Sequence, residues 1–105
     1  MTYQVVLTDR AARDLEEAYR WYAERAPQSA VLWYNGFLES LDSLSTNPER
    51  CPVAAERQKI PVEIRQLLYG RQRSYRAIFL IREQTVVVLH IRHTARRDVS
   101  PEELL

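Results

Sequence analysis

The sequence predicts an α+β fold of two layers, with a helical hairpin covering one face of a largely antiparallel sheet. In residues 11–22 and 33–44, apolar side chains recur at steps of three and four residues, which is the period of amphipathic helices. Residues 62–69, 75–82 and 85–93 are rich in β-branched and aromatic residues and are separated by short polar breaks, as in an antiparallel meander. Helices that precede a run of strands collect on one side of the sheet.

A short first strand and two helices are predicted in the N-terminal half. Residues 3–7 form the strand, which stops at Thr8, a good helix N-cap. Ala26 precedes a proline and is pushed out of the helical region, so the first helix ends there. The second helix is predicted to begin near Ser29 and to end at residues 45–48.

Gly36 lies inside the predicted second helix, where glycine costs about 1 kcal/mol relative to alanine. Close approach of the two helices would explain it, and so would a tolerated weak point. The sequence leaves both explanations open.

An irregular connection and a short tail complete the predicted chain. Residues 47–61 contain three prolines and no hydrophobic period, which predicts a loop running across the surface. The first strand is expected at a sheet edge or beside the last strand. In the tail, Ser100 is a predicted N-cap, and Glu103, at the third helical position, completes a capping box.

The last strand becomes polar toward its C-terminal end. Strict alternation would place Val87, Leu89, Ile91 and His93 on one face and Val86, Val88, His90 and Arg92 on the other. Both faces are then apolar first and polar later. This predicts a central strand, buried on both sides, that emerges where cationic side chains meet a partner.

Composition limits the class of protein. At 105 residues and 46% hydrophobic, the chain is predicted to be a single domain, residues 1–105, with a modest core. It has no long apolar run and no signal-peptide pattern, so we expect a cytoplasmic protein without a membrane span. The single cysteine, Cys51, excludes an internal disulfide and is expected to be structural or incidental. No metal site and no cofactor are predicted.

A net charge of +1 conceals an asymmetry along the chain. Residues 1–49 hold four arginines and eight acids, residues 50–97 hold eleven basic residues and three acids, and residues 98–105 hold three acids. Fourteen of the fifteen basic residues are arginine, whose planar guanidinium suits bidentate binding of phosphate or carboxylate. The C-terminal half therefore offers a surface for an anionic partner.

Three segments carry a resemblance to a known family. The first helix AARDLEEAYRWY, the strand SYRAIFLI and the end VVVLHIRHTARRD resemble the RelE/ParE superfamily of toxins from bacterial type II toxin-antitoxin systems, also called plasmid-stabilisation systems. The most specific pieces are Tyr75-Arg76 and His93 followed by Arg96-Arg97. The resemblance implies a small cytoplasmic toxin that arrests growth and is neutralised by a cognate antitoxin.

The RelE branch of that superfamily resembles a ribonuclease that cleaves messenger RNA on the ribosome. Such cleavage needs a base, an acid and cations around the phosphorus. Arg76, His93 and Arg96 would then be the catalytic set. However, RelE-type enzymes carry lysines where residues 64–66 are Ile-Arg-Gln, and the tail after Arg97 lacks their C-terminal tyrosine.

The ParE branch resembles the chain more closely, because the chain has two long amphipathic helices, His93 followed by Arg96-Arg97 and Asp98, and lacks the ribonuclease set. Members of that branch inhibit DNA gyrase by binding and need no general base. Whether the chain is an enzyme stays open between the two branches, as does its assembly as a homo-oligomer or a toxin-antitoxin hetero-oligomer. A nucleic-acid-binding module of this fold is a third alternative, which predicts affinity that falls steeply with salt. The residues expected to bind the target or the antitoxin are Arg73, Arg76, Arg92, His93, Arg96 and Arg97.

Overall fold

The computed structural model describes residues 2–96 and 99–104, and this part of the chain carries four strands and three helices. In chain order they are β1 (Gln4–Leu7), α1 (Asp9–Arg25), α2 (Pro27–Asp42), β2 (Arg65–Tyr69), β3 (Tyr75–Arg82), β4 (Thr85–His93) and α3 (Pro101–Leu104). The predicted order of strand, helical hairpin and meander is confirmed. No described helix has the length and apolar character needed to cross a membrane.

The sheet has the strand order β1-β4-β3-β2. Strands β2, β3 and β4 form the predicted antiparallel meander, and β1 pairs in parallel with β4. The expectation that the first strand lies beside the last is therefore confirmed, and β4 is central. Because β1 stops at Leu7, opposite Val88, the second half of β4 extends past its neighbour. Helix α1 begins beside this extension.

The helices begin and end close to the predicted residues. Thr8 caps α1, and its Oγ1 accepts a hydrogen bond from the Ala11 N–H at 3.1 Å. Helix α2 begins at Pro27, two residues before the expected start, because proline suits the first helical position and Ala26 alone forms the link. It ends at Asp42 and continues into a 3-10 turn, Ser43–Ser45.

Strict alternation along β4 was the wrong expectation beyond Val88. Phe79 of β3 pairs with Val88 and Ile78 pairs with His90, so Leu89 is an extra residue in a β-bulge. The bulge reverses the faces that follow it. Ile91 consequently joins Val86 and Val88 in the core beneath the helices.

The loop between α2 and β2 covers the second face of the sheet, contrary to the expected surface connection. Ala54, Ile60 and Ile64 are buried there, together with Ile78 of β3 and Val99 of the tail. Cys51 is also buried, and burial raises the pKa of its thiol. Residues of α1 and α2 fill the opposite face, so that the sheet has a core on both sides.

Gly36 allows close approach between α2 and β2. A Cβ at this position would collide with the phenolic oxygen of Tyr69. That oxygen donates to the Trp33 carbonyl at 2.8 Å, and the Tyr69 ring lies 4.4 Å from the ring of Phe37. Glycine is therefore explained by helix-to-sheet packing, which neither sequence-based alternative included.

Candidate functional site

A groove runs between α1 and the C-terminal end of β4. Its wider part encloses about 710 Å³ and its narrower part about 570 Å³. The two parts share Asp14 and Glu17 of α1 and Ile91, Arg92 and Arg96 on the opposite side. We call this continuous feature, defined by those five residues, the α1–β4 groove.

Aromatic side chains from several elements form the floor of the wider part. The ring of Trp33 lies 5.2 Å from that of Tyr75, which lies 5.0 Å from the ring of His93. Tyr22 contacts Trp33 from α1, with ring centroids 5.6 Å apart. Trp21 also lines the groove and is 56% exposed, an unusual position for so large an apolar side chain.

The two walls carry opposite charges. On the α1 side, Asp14 and Glu17 lie at helical spacing and present carboxylates. On the sheet side, the lining residues include Arg71, Arg92 and Arg96. The groove is therefore matched to a partner that offers apolar groups together with both signs of charge.

Asp14 closes the exposed edge of β4 beyond β1. Its Oδ2 accepts a hydrogen bond from the Ile91 N–H at 3.0 Å and lies 2.8 Å from Nδ1 of His90. Burial raises the pKa of Asp14, but the hydrogen bonds from His90 and Ile91 outweigh it and hold the pKa below its ordinary value. An edge amide that would otherwise be unsatisfied is thus bonded to a carboxylate.

Helix α3 closes over the end of β4 through Glu103. The Glu103 carboxylate accepts hydrogen bonds from the N–H and the hydroxyl of Ser100, both at 3.0 Å, which confirms the predicted capping residues. Its other oxygen accepts from Arg92 Nη2 at 2.8 Å. Bonds from Ser100 and the charge of Arg92 lower the pKa of Glu103 to about 2.

Arg76 lies on the opposite face of the sheet. Both of its terminal nitrogens bind the carboxylate of Glu56, which belongs to the loop and is fully buried. Gln66 accepts a further hydrogen bond from Arg76 at 3.1 Å. The structure therefore does not bring Arg76 to the groove, because adjacent strand residues such as Tyr75 and Arg76 point to opposite faces.

The remaining predicted site residues are only partly brought together. His93 and Arg96 line the groove, and so does Arg92, although Arg92 is opposite Arg76 in the sheet register, shares its face and is only 8% exposed. Arg73 is exposed on the turn before β3 and does not line the groove. Arg97 lies outside the described residues.

Sequence reasoning missed the α1 side of the site. Asp14, Glu17 and Trp21 lie on one side of the helix, and their spacing was a usable signal. This spacing was not interpreted as a site, because a charged helix face is ordinarily exposed to solvent. Arg71 was missed because nothing in a basic turn distinguishes its first arginine from its last.

The catalytic set expected of a ribonuclease is incomplete in the groove, because Arg76 does not line it. Nδ1 of His93 accepts a hydrogen bond from the Ala95 N–H at 3.0 Å. Arg76 is too deeply buried against Glu56 to join His93 and Arg96 around one phosphate. Within residues 2–96 and 99–104, no three His, Cys, Asp or Glu side chains are grouped to hold a metal ion.

Comparisons with known proteins match this fold. The family described as the ParE toxin of the type II toxin-antitoxin system, parDE, matches residues 5–98. A chain of the chromosomal ParDE system from P. aeruginosa is 20% identical, with a TM-score of 0.72 over 88% of this chain and 96% of that one. A chain of the RelBE2 toxin-antitoxin complex from Mycobacterium tuberculosis is 23% identical, with a TM-score of 0.55 over 89% and 99%.

At these identities, the two structures establish the fold alone. No sequence among the curated proteins matched the chain. The family match spans most of the sequence, including the helical hairpin, the whole sheet and both walls of the groove. The protein therefore belongs to the ParE toxin family of type II toxin-antitoxin systems.

Proposed function

We propose that this toxin inhibits bacterial DNA gyrase by binding to it, and that a cognate antitoxin neutralises it in a hetero-oligomeric complex. The observation that carries the proposal is the α1–β4 groove, with its aromatic floor, one acidic wall and one cationic wall. Such a lining suits a protein surface. We further propose that residues 1–105 act as one toxin domain and that it acts in the cytoplasm, where gyrase is found.

Electrostatics favour a protein over RNA in the groove. Asp14 and Glu17 line the α1 side of the groove, so a chain of phosphates would meet repulsion along that side. Exposed aromatic side chains at the centre of a cleft are the usual hot spots of protein interfaces. Trp21 fits that description, since it is large, accessible and next to the acidic wall.

The messenger RNA alternative has less support. A ribonuclease of this superfamily would need Arg76 beside His93 and Arg96, and the Glu56–Arg76 ion pair keeps Arg76 on the other face. Arg96 and His93 remain available for binding without chemistry. Inhibition by binding, unlike RNA cleavage, does not require Arg76 to lie in the groove.

Expression in bacteria tests the proposal. The chain is induced from a tight promoter with and without the adjacent small open reading frame, and growth, plasmid supercoiling and transcript integrity are followed together. We expect growth arrest, lost supercoiling, intact transcripts and rescue by the neighbour. Arrest with transcripts cut inside codons and normal supercoiling would contradict the proposal.

Matched variants locate the effect in the groove. Arg96→Ala removes an exposed groove cation, whereas Arg82→Ala removes an exposed arginine at the far end of β3. We expect only Arg96→Ala to relieve the arrest. Equal toxicity of the two variants would place the target-binding surface elsewhere.

A further inference from the structure

Glu103 lines the narrower part of the α1–β4 groove and is bound there by groups of other elements. A single oxygen, Oε2, lies 2.8 Å from Arg92 Nη2, 3.7 Å from His90 Nε2 and 3.9 Å from Arg10 Nη2. Arg10 comes from α1, and His90 and Arg92 come from β4. Two guanidinium groups and an imidazole around one carboxylate oxygen form a site for an oxyanion.

His90 is an independent indication of a ligand. Its side chain is 2% exposed, and Asp14 fixes the ring through Nδ1 at 2.8 Å. Nε2 is buried, has no hydrogen-bond partner among the described residues, and points toward Glu103 across 3.7 Å. A buried polar atom without a partner is costly, and a ligand atom about 1 Å closer than Glu103 would lie at hydrogen-bond distance from Nε2.

The resident carboxylate is held by a short element. Helix α3 is a single turn, Pro101–Leu104, and the Glu103 side chain remains 28% exposed. The adjoining cavity of about 570 Å³ gives access to the same three groups. Ion pairs that keep contact with solvent contribute little each, so a competing carboxylate can replace Glu103.

We propose that Arg10, His90 and Arg92 form a carboxylate-binding site, which Glu103 occupies in the isolated chain and which takes an acidic side chain of a protein partner when α3 moves aside. The resident ligand is itself a carboxylate. Asp14 and Glu17 line the same cavity, so the acceptable ligand is one isolated acid and not a run of phosphates. The protein partner rests on the proposed function; anion binding by the three residues does not.

The test is an NMR titration of the full chain carrying Glu103→Gln, with N-acetylglutamate as the probe. Signals of the His90 ring and the Ile91 amide report on the site. We expect saturable shifts in Glu103→Gln, with an affinity at least tenfold above that of the wild-type chain, whose own Glu103 competes. The matched control is Glu102→Gln, an exposed neighbour that should behave as wild type.

Two further variants test whether the shifts come from the proposed site and whether the protein folds. Adding Arg92→Gln to Glu103→Gln should abolish the saturable shifts. If Glu103→Gln does not fold, Glu103→Asp keeps the charge one methylene further from the site and should bind the probe with intermediate affinity. No saturable shift in the folded variant, or equal affinity in the Glu102→Gln control, would overturn the site.

Inorganic phosphate distinguishes the source of the anion. Tighter binding of phosphate than of N-acetylglutamate would overturn the assignment to a protein carboxylate. The titration needs no gyrase and no antitoxin. The carboxylate-site proposal can therefore be contradicted even if the chain still arrests growth. Conversely, if the chain binds the carboxylate but does not affect supercoiling, only the proposal that gyrase is the target would be contradicted.

Discussion

The carboxylate of Glu56 holds the guanidinium of Arg76 in a buried ion pair between the loop and β3. Arg76 Nη1 donates to Glu56 Oε1 at 2.9 Å, and Nη2 binds Oε2. The same Oε2 accepts a hydrogen bond from the Val99 N–H at 2.8 Å. One carboxylate thus joins the loop, the sheet and the C-terminal tail, and an arginine that the sequence placed at a partner surface contributes to the fold.

Replacing Glu56 should destabilise the protein strongly. Glu56→Gln removes the negative charge from this buried ion pair, which costs about 3–5 kcal/mol in the free energy of unfolding. Urea denaturation measures the loss. The control is Glu63→Gln, whose exposed carboxylate pairs with Arg65 and whose removal should change stability by about 0–1 kcal/mol. Similar unfolding midpoints for the two variants would contradict the structural role.

Variants of Arg76 should also act through the stability of the fold. Arg76→Ala should remove toxicity through unfolding, since it leaves a buried glutamate unpaired. Circular dichroism of the purified variant checks this expectation. A folded, stable Arg76→Ala chain that has lost toxicity would instead restore Arg76 to a binding role.

Stability should fall in acid because three carboxyl groups have lowered pKa values in the folded chain. The pKa of Glu103 is about 2, against an ordinary 4.5, and those of Glu56 and Asp14 are also below their ordinary values. Between about pH 2 and 4.5 the unfolded chain binds more protons than the folded chain, so the free energy of unfolding rises with pH. The contribution of Glu103 is complete above 4.5 and is lost as pH falls toward about 2.

Urea unfolding at several pH values in that window measures the effect. Glu103→Gln should flatten the dependence, because the variant lacks one of the three groups. Glu102→Gln is the control, with an exposed carboxylate on the same turn. A slope that Glu103→Gln leaves unchanged would contradict the contacts of Glu103.

Gly36→Ala should destabilise the protein although alanine is the better helix former. The added methyl group collides with Tyr69 Oη, and overpacking of this kind costs about 1–3 kcal/mol. Tyr69→Phe removes the oxygen, so Gly36→Ala should cost much less in that background. A double-mutant cycle by thermal unfolding measures the coupling. Additive effects would show that the close approach does not explain the glycine.

Trp21→Ala should weaken binding without weakening the fold. The side chain is 56% exposed, and truncation of an exposed residue usually changes stability within about 0.5 kcal/mol. As an interface hot spot it should cost about 2 kcal/mol of affinity, roughly thirtyfold. Calorimetry with the proposed cognate antitoxin measures this loss. Leu32→Ala, on the exposed face of α2, is the control and should bind normally.

Much of the architecture followed from periodicity, and the site followed only in part. Helical and strand periods predicted the hairpin and the meander because local side-chain spacing determines both. The bulge at Leu89 was not predictable, since one extra residue in a valine-rich strand leaves no mark in composition. Nor was the partner of Arg76, because Glu56 lies 20 residues away in a loop without a pattern.

Gyrase inhibition is tested by the supercoiling of relaxed plasmid by purified gyrase in the presence of the toxin. We predict that the wild-type chain and Arg82→Ala abolish supercoiling, that Arg96→Ala does not, and that the antitoxin restores it. Undiminished supercoiling by gyrase with excess folded toxin would contradict the account.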